Sequence, residues 1–185
     1  MHPYRMQQLI KERGKDQVVN VRQRASIYQT IERLERDGLI RSRETSRDER
    51  RPERTIYEIT DEGRETSRDW LRAMLATPSQ EFPELPAAIS FLPLLTTEDA
   101  MGQLELRKAA LEAQLAKLDA ELEPVLGRLP RLFLLESEYL RAILVTELTW
   151  VSSLVEDLRE KRISWSEAEF KAFAEQAEGL FPPQS

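Results

Sequence analysis

Residues 26–40, SIYQTIERLERDGLI, combine an amphipathic segment with a glycine and the start of a strand. Their apolar side chains recur at i, i+4 and i+7, one stripe of a 3.6-residue period: Ile27, Ile31 and Leu34. Gly38 supplies a left-handed cap, and the arginine-rich residues after it favour an extended backbone. The stretch therefore predicts a helix over residues 24–36 that buries one face and leads into a basic strand.

The segment that follows, residues 39–60, has the pattern of a β-hairpin. The arms are residues 39–45 and RTIYEIT at 54–60, in which side chains alternate between two faces. The polar tip at 46–53 is crowded with arginine. A helix at residues 4–12 precedes these elements, and another begins at Thr60 or Asp61 and ends near Leu75, with Trp70 expected in a core. The predicted order is helix, helix, hairpin, helix.

Charge is divided unevenly along this acidic chain, whose net charge is −6. Residues 1–75 hold 17 basic and 14 acidic residues, a net of +3, whereas residues 76–185 hold 10 and 19, a net of −9. Ten arginines and no lysine lie between Arg22 and Arg54. Arginine suits phosphates and guanine edges, although the same bias is also typical of a GC-rich genome. A local basic face in an acidic protein favours a nucleic-acid partner.

The face of residues 24–36 opposite the apolar stripe carries amide and guanidinium groups that suit base edges and phosphates. Helix, recognition helix and basic hairpin together predict a winged helix-turn-helix that binds double-stranded DNA. For the helix alone, the alternative is an ordinary amphipathic helix with a solvated face. The predicted DNA contacts are Arg22, Arg24, Ser26, Tyr28, Gln29, Arg33, Arg47, Arg50 and Arg51.

The second half predicts a helical domain. Residues 77–97 form a proline-containing connector that is expected to pack as turns and a small helix. Long helices are predicted at 98–125 and 132–162, and a last helix is capped by Ser164. Leucines every seven residues favour an internal hairpin, a seam between two chains, or both. The predicted dimer contacts are Leu104, Leu111, Leu115, Leu118, Leu144, Leu148, Val151 and Val155.

The fold class is therefore mainly α: a winged domain at residues 1–76, the connector at 77–97 and a helical dimerisation domain at 98–185. Without cysteine and with one histidine, at position 2, the chain offers no disulfide, metal or catalytic-triad pattern, and no enzyme or cofactor is predicted. The longest uncharged run has 13 residues, too short to span a membrane. Trp150 and Trp165 either line a small-molecule effector pocket or pack in a core or interface.

HPYRM at 2–6, the opening stretch and TIYEITDEGRE at 55–65 resemble the PadR family of transcriptional regulators over residues 1–69. The resemblance implies a cytoplasmic homodimer that represses from a roughly palindromic operator, released in some members by a small molecule. It places Tyr28 against a phosphate, and Ser26, Gln29 and Arg33 where base or phosphate contacts occur. Family members usually carry an apolar helix before HPY, so we expect either an upstream start or a winged domain that lacks this helix.

A second function stays open on sequence grounds. Some winged helices bind protein, so the chain could be a helical interaction module whose winged domain does not bind DNA. A salt-dependent shift of DNA by the protein separates the two hypotheses.

Overall fold

The computed structural model describes residues 1–12, 14–15, 24–48, 51–166, 168–169 and 172, with the backbone alone at 24–26, 44–48 and 51–54. The chain divides into two compact units, residues 1–81 and 82–185. The first unit is a winged helix, as predicted. Its elements are α1 (Pro3–Glu12), α2 (Arg24–Arg36), β1 (Ile40–Asp48), β2 (Arg51–Ile59) and α3 (Asp61–Ala76).

Helix α2 ends at the predicted glycine. Gly38 has φ +72°, the left-handed conformation that a side chain disfavours. Its N–H donates to the Glu35 carbonyl at 3.0 Å, and the Leu39 N–H donates to the Leu34 carbonyl at 2.9 Å. These two bonds form a Schellman motif, which satisfies the last carbonyls of the helix and directs the chain into β1.

A second junction fixes the hairpin to α3. Thr60 caps α3 by accepting a hydrogen bond from the Gly63 N–H at 3.0 Å, and its hydroxyl also donates to the Gly38 carbonyl at 2.8 Å. Gly63 is buried so closely against the strand that an added Cβ would lie 2.0 Å from the Leu39 carbonyl oxygen. The glycine therefore allows α3 to touch the start of the wing.

The hairpin is antiparallel and longer than expected. Its register runs from Ile40 opposite Ile59 to Asp48 opposite Arg51, with irregularities between Ser42 and Glu44 and between Ser46 and Asp48. The predicted tip at 46–53 was therefore too wide, because strand pairing continues to Asp48 and Arg51. Bulges of this kind leave a residue unpaired and increase the local twist of the strands.

The second unit is a helical hairpin preceded by a short helix. It contains α4 (Glu84–Ser90), a 3₁₀ turn at Leu92–Leu94, α5 (Thr97–Leu122) and α6 (Leu135–Arg159). Arg107 pairs with Glu147, and Asp119 pairs with Arg141, so the two long helices run antiparallel. The predicted helix in the connector is confirmed, whereas both long helices are shorter than predicted. Helix α5 ends in a 3₁₀ turn at Glu123–Val125, and another 3₁₀ turn, Arg131–Phe133, occupies the predicted start of α6.

The heptad leucines of α5 pack against α6 within one chain. The buried cluster holds Leu104, Leu111, Val151, Val155 and Leu158. After α6, the backbone is capped by Ser166, whose hydroxyl accepts from the Glu169 N–H at 3.2 Å and donates to its carboxylate at 2.8 Å. The predicted cap was Ser164, but it is Ser166 whose side chain accepts the N–H of the third residue after it, as an N-cap does. No helix in the described part of the chain is long and apolar enough to cross a membrane.

Candidate DNA-binding surface

Helix α2 presents the predicted polar face. Ile31 is buried, and Ile27 and Leu34 are half-buried, so the apolar stripe points into the first unit. Gln29, Arg33 and Arg36 are exposed and line one shallow surface depression with Thr30 and Glu32. Since these positions recur at i, i+4 and i+7, amide and guanidinium groups project together from one side of the helix.

The cations of this face are available to a ligand. Arg33 forms no ion pair with the side chains that the structure describes, and Arg36 only approaches Asp37, at 3.5 Å. On α3, in contrast, Arg68 and Arg72 lie 2.8 and 2.5 Å from carboxylates three residues earlier. The two helices thus carry similar numbers of arginines but differ in how far those charges are neutralised.

Glu32 also belongs to this face, and sequence reasoning missed it. It is exposed, lies three residues after Gln29, and shares the same depression. The sequence contained the signal, because a rotation of 100° per residue places Glu32 within about 60° of Gln29 and about 40° of Arg36.

The wing is attached to α2 through Glu35 and Tyr57. Glu35 accepts a hydrogen bond from the Ser42 N–H at 3.2 Å. Burial raises the pKa of Tyr57, and the nearby carboxylates of Glu35 and Glu32 raise it further. Tyr28, about half exposed, adds to the same effect, so it lies on the wing side of α2.

The stem of the wing carries two exposed arginines that the prediction left out. Arg41 lies opposite Glu58 in the sheet and donates to it from Nε at 2.7 Å. Arg43 approaches the other carboxylate oxygen at 3.6 Å. The hydrogen bond from Arg41 lowers the pKa of Glu58. Two guanidinium groups therefore share one carboxylate, which leaves this face of the stem positive.

Several predicted contacts fall where the structure says little. Arg22 and Arg50 lie outside the described residues. For Arg24, Ser26, Arg47 and Arg51 only the backbone is described: the first two lie in α2, the last two in the strands rather than in a tip loop. Of the nine predicted side chains, the structure describes three: Gln29 and Arg33 share the depression, and Tyr28 lies outside it, on the wing side of α2. DNA contact by any of the nine stays a prediction.

Comparison with known proteins agrees with this geometry. Residues 1–69 match the model of the Transcriptional regulator PadR-like family. This match lies within the first of the two compact units. No curated protein matches.

Solved structures extend the likeness of the fold to both units. Bacillus subtilis PadR in complex with operator DNA is 19% identical, with a TM-score of 0.68 over 85% of this chain and 89% of the other. The same protein in complex with p-coumaric acid is 18% identical, with a TM-score of 0.69 over 86% of this chain and 90% of the other. The PadR-like transcriptional regulator BC1756 from Bacillus cereus is 18% identical, with a TM-score of 0.56 over 85% of this chain and 87% of the other. At this identity the likeness shows a shared fold.

The predicted dimer contacts lie in and around the α5–α6 core. Five of them are nearly enclosed within one chain, and the rest are half-buried beside them. The enclosed set is Leu104, Leu111, Leu118, Val151 and Val155; the half-buried set is Leu115, Leu144 and Leu148. Their use between two chains stays a prediction.

The three tryptophans lie in different surroundings. Trp150 lines an open apolar groove between α4 and α6, with a volume of about 670 Å³. Trp165 is not among the residues that line it: it packs on the α5–α6 cluster, and its Nε1 donates to the Leu95 carbonyl at 2.8 Å. Trp70 is 51% exposed, so the expectation that it packs in a core was wrong.

Within the described residues no group of acidic or histidine side chains is placed to hold a metal ion.

Proposed function

We propose that this PadR-like chain is a homodimeric, DNA-binding transcriptional repressor that recognises a pseudo-palindromic operator and acts in the cytoplasm. The observation that carries the proposal is the exposed row of Gln29, Arg33 and Arg36 on the α2 of a winged helix. An α-helix fits the major groove, where arginine pairs with guanine and glutamine with adenine. The arginines of the wing stem add positive charge beside it.

Binding to the DNA that flanks its own gene tests this directly, with fluorescence anisotropy at several salt concentrations. If about six phosphates are contacted, the slope of log affinity against log salt is near −5. Arg33→Ala and Gln29→Ala should relax specificity by about 1–3 kcal/mol at one base pair. Arg68→Ala is a matched control, since Arg68 is exposed on α3 and paired with Glu65. Equal losses on operator and random DNA for the α2 variants would contradict base recognition.

The dimer proposal is supported by exposed apolar side chains in the second unit. Leu132, Phe133 and Tyr139 are 65–72% exposed where α5 turns into α6. Apolar patches of this kind mark association surfaces. Because the seam leucines are already used within the chain, we propose that two copies meet through this hairpin-end patch and the half-buried leucines beside it.

Light scattering on purified protein tests the dimer. Leu132→Glu should shift the mass toward the monomer, because it places a carboxylate in the patch. Leu106→Glu is the control: Leu106 is 68% exposed on α5, away from the buried stripe. A monomeric wild type rules out the dimer, and a dimer that Leu132→Glu leaves intact rules out this surface.

The groove beside α4 is the site that we propose for a small-molecule effector. Leu85, Pro86 and Ile89 face Ile143 and Trp150 across it. Its polar groups are already engaged: the Thr146 hydroxyl donates to the Ala142 carbonyl at 2.8 Å, and Glu147 binds Arg107. Such a lining selects an uncharged, apolar ligand of aromatic size.

An apolar fluorescent probe, Nile red, tests the groove. Wild type should bind it, and Ala142→Trp, which fills the groove, should abolish binding while the far-ultraviolet circular dichroism stays unchanged. Leu106→Trp is the control substitution on an exposed site outside the groove. Unchanged binding of Nile red by Ala142→Trp would place the ligand elsewhere.

The second candidate function, a winged domain that binds protein, is favoured by one observation. Trp70, Leu71, Met74 and Leu75 leave one end of α3 apolar and 51–88% exposed. The anisotropy experiment separates the two functions, because an absent or salt-independent signal on DNA favours the protein partner.

A further inference from the structure

The acidic residue on the basic face of α2 is the starting point. Glu32 is exposed and lines the same depression as Gln29, Arg33 and Arg36. It forms no ion pair with any side chain that the structure describes, although Arg36 follows it by one helical turn. An unpaired carboxylate on a surface that meets phosphates is repelled by them, so this side chain opposes general affinity for DNA.

Glu32 lies between the exposed row of α2 and the wing. Ile31 is buried in the first unit, and the rotation of the helix places Glu32 about 100° from Ile31 and about 60° from Gln29, at the edge of the exposed row. On its other side lies the wing, since Glu32 contributes to the field at Tyr57. It therefore stands between the row of predicted base contacts and the wing, where a bound duplex would meet the helix.

Carboxylates have one established use at the floor of a major groove. A glutamate accepts a hydrogen bond from the N4 amino group of cytosine, whereas guanine and thymine present acceptor oxygens that repel it. Arginine beside it suits guanine, and glutamine suits adenine. The three neighbours thus offer three different base preferences on one helix face.

We propose that Glu32 is a specificity-determining residue that selects cytosine at one position of each half-site and rejects bases that present only acceptors there. The proposal rests on DNA recognition by α2. The negative charge of Glu32 weakens binding to every DNA sequence except one that presents a base amino group to it. The residue therefore lowers general affinity for DNA and raises discrimination between sequences.

Selection of preferred sequences from a random DNA pool by the full-length protein tests this. Wild type should show one cytosine position per half-site that Glu32→Ala loses, with the other positions unchanged. The discrimination at that base pair should fall about tenfold or more, the range of one good base contact. Glu32→Gln should move the preference toward adenine, because the amide donates as well as accepts.

The pair of variants separates base selection from charge alone. If Glu32 only repels phosphates, alanine and glutamine behave alike, both select the wild-type sequence, and both bind all DNA more tightly by one factor. That result overturns the proposal while leaving DNA binding intact. Glu81→Gln, which removes an exposed charge in the same unit, is the control and should leave the selected sequence unchanged. A wild type that selects no sequence overturns both this inference and the proposed function.

Discussion

Replacement of Gly63 by alanine is the sharpest test of how the wing is held. Gly63 lies in the first turn of α3, where alanine would ordinarily stabilise the helix by about 1 kcal/mol. Here the new Cβ would lie 2.0 Å from the Leu39 carbonyl oxygen and 2.8 Å from its carbon. Carbon and oxygen in contact are normally about 3.3–3.6 Å apart, so the strand or the helix must move by roughly 1.3 Å.

That displacement breaks the junction at Thr60. Its N–H donates to the Leu39 carbonyl at 3.1 Å, and its hydroxyl shares one proton between the carbonyls of Gly38, at 2.8 Å, and Leu39, at 3.1 Å. Each of these two donors contributes about 0.5–1.5 kcal/mol. With the helix propensity offset, we expect Gly63→Ala to lower the free energy of unfolding by about 1–3 kcal/mol, the range of overpacked sites. For a unit of this size, 1 kcal/mol corresponds to a Tm change of about 4–8 °C.

Thermal unfolding followed by fluorescence measures this effect. In a Trp150→Phe, Trp165→Phe background, Trp70 alone reports on the first unit. Gly102→Ala, followed in the second unit through Trp150 and Trp165 in a Trp70→Phe background, is the control: it is also a helical glycine, but nothing lies within 4 Å of its added Cβ. That change should be neutral or stabilising. If Gly63→Ala behaves like Gly102→Ala, the close contact between α3 and the wing is wrong.

Three further predictions concern single contacts. Thr60→Val should destabilise the first unit by about 0.5–2 kcal/mol through loss of the cap, measured by denaturant unfolding, whereas Thr60→Ser should not. Trp165→Phe should cost the second unit about 0.5–1.5 kcal/mol, because the Leu95 carbonyl loses its donor; an unchanged unfolding midpoint would show that this bond contributes nothing. Since the pKa of Glu58 is lowered in the folded state, its stabilisation is full above the ordinary carboxyl pKa, about 4.3, and is lost as the pH falls through the lower folded value. Melting curves from about pH 3 to 6 should therefore show a smaller acid loss for Glu58→Gln than for wild type.

The sequence predicted the local structure of the first unit because each signal acts within a few residues. The stripe at Ile27, Ile31 and Leu34, the left-handed Gly38 and the Thr60 cap all form as predicted. The length of the hairpin was missed, since its outer half is polar on both faces and pairing there is decided by the backbone and bulges rather than by a buried face.

The second unit shows why a heptad pattern does not identify the partner helix. Leu104 and Leu111 are predicted for a helical seam, and they are buried, but against the neighbouring helix of the same chain. A leucine every seven residues predicts that the stripe packs against another helix but does not identify that helix. The connection between α5 and α6 allows α6, the next helix of the same chain, to pack there. The surface left for a second copy is consequently set by side chains outside the repeat, such as Leu132 and Tyr139.

Arginine content alone also gives a misleading view of the basic surface. On α3 the guanidinium groups of Arg64, Arg68 and Arg72 each lie near an acidic residue three positions earlier, so the helix surface is close to neutral. On α2, Arg33 has no such neighbour, because the residue three positions earlier is Thr30. The electrostatic face therefore depends on the i, i+3 spacing of opposite charges, which the sequence contains but a count of charges does not reveal. Because these carboxylates neutralise the arginines of α3, Glu65→Gln and Asp69→Asn should raise the affinity of the protein for random DNA. Arg33→Ala should lower that affinity. If the α3 variants and the Arg33 variant both bind random DNA as tightly as wild type does, neither helix contacts the phosphates.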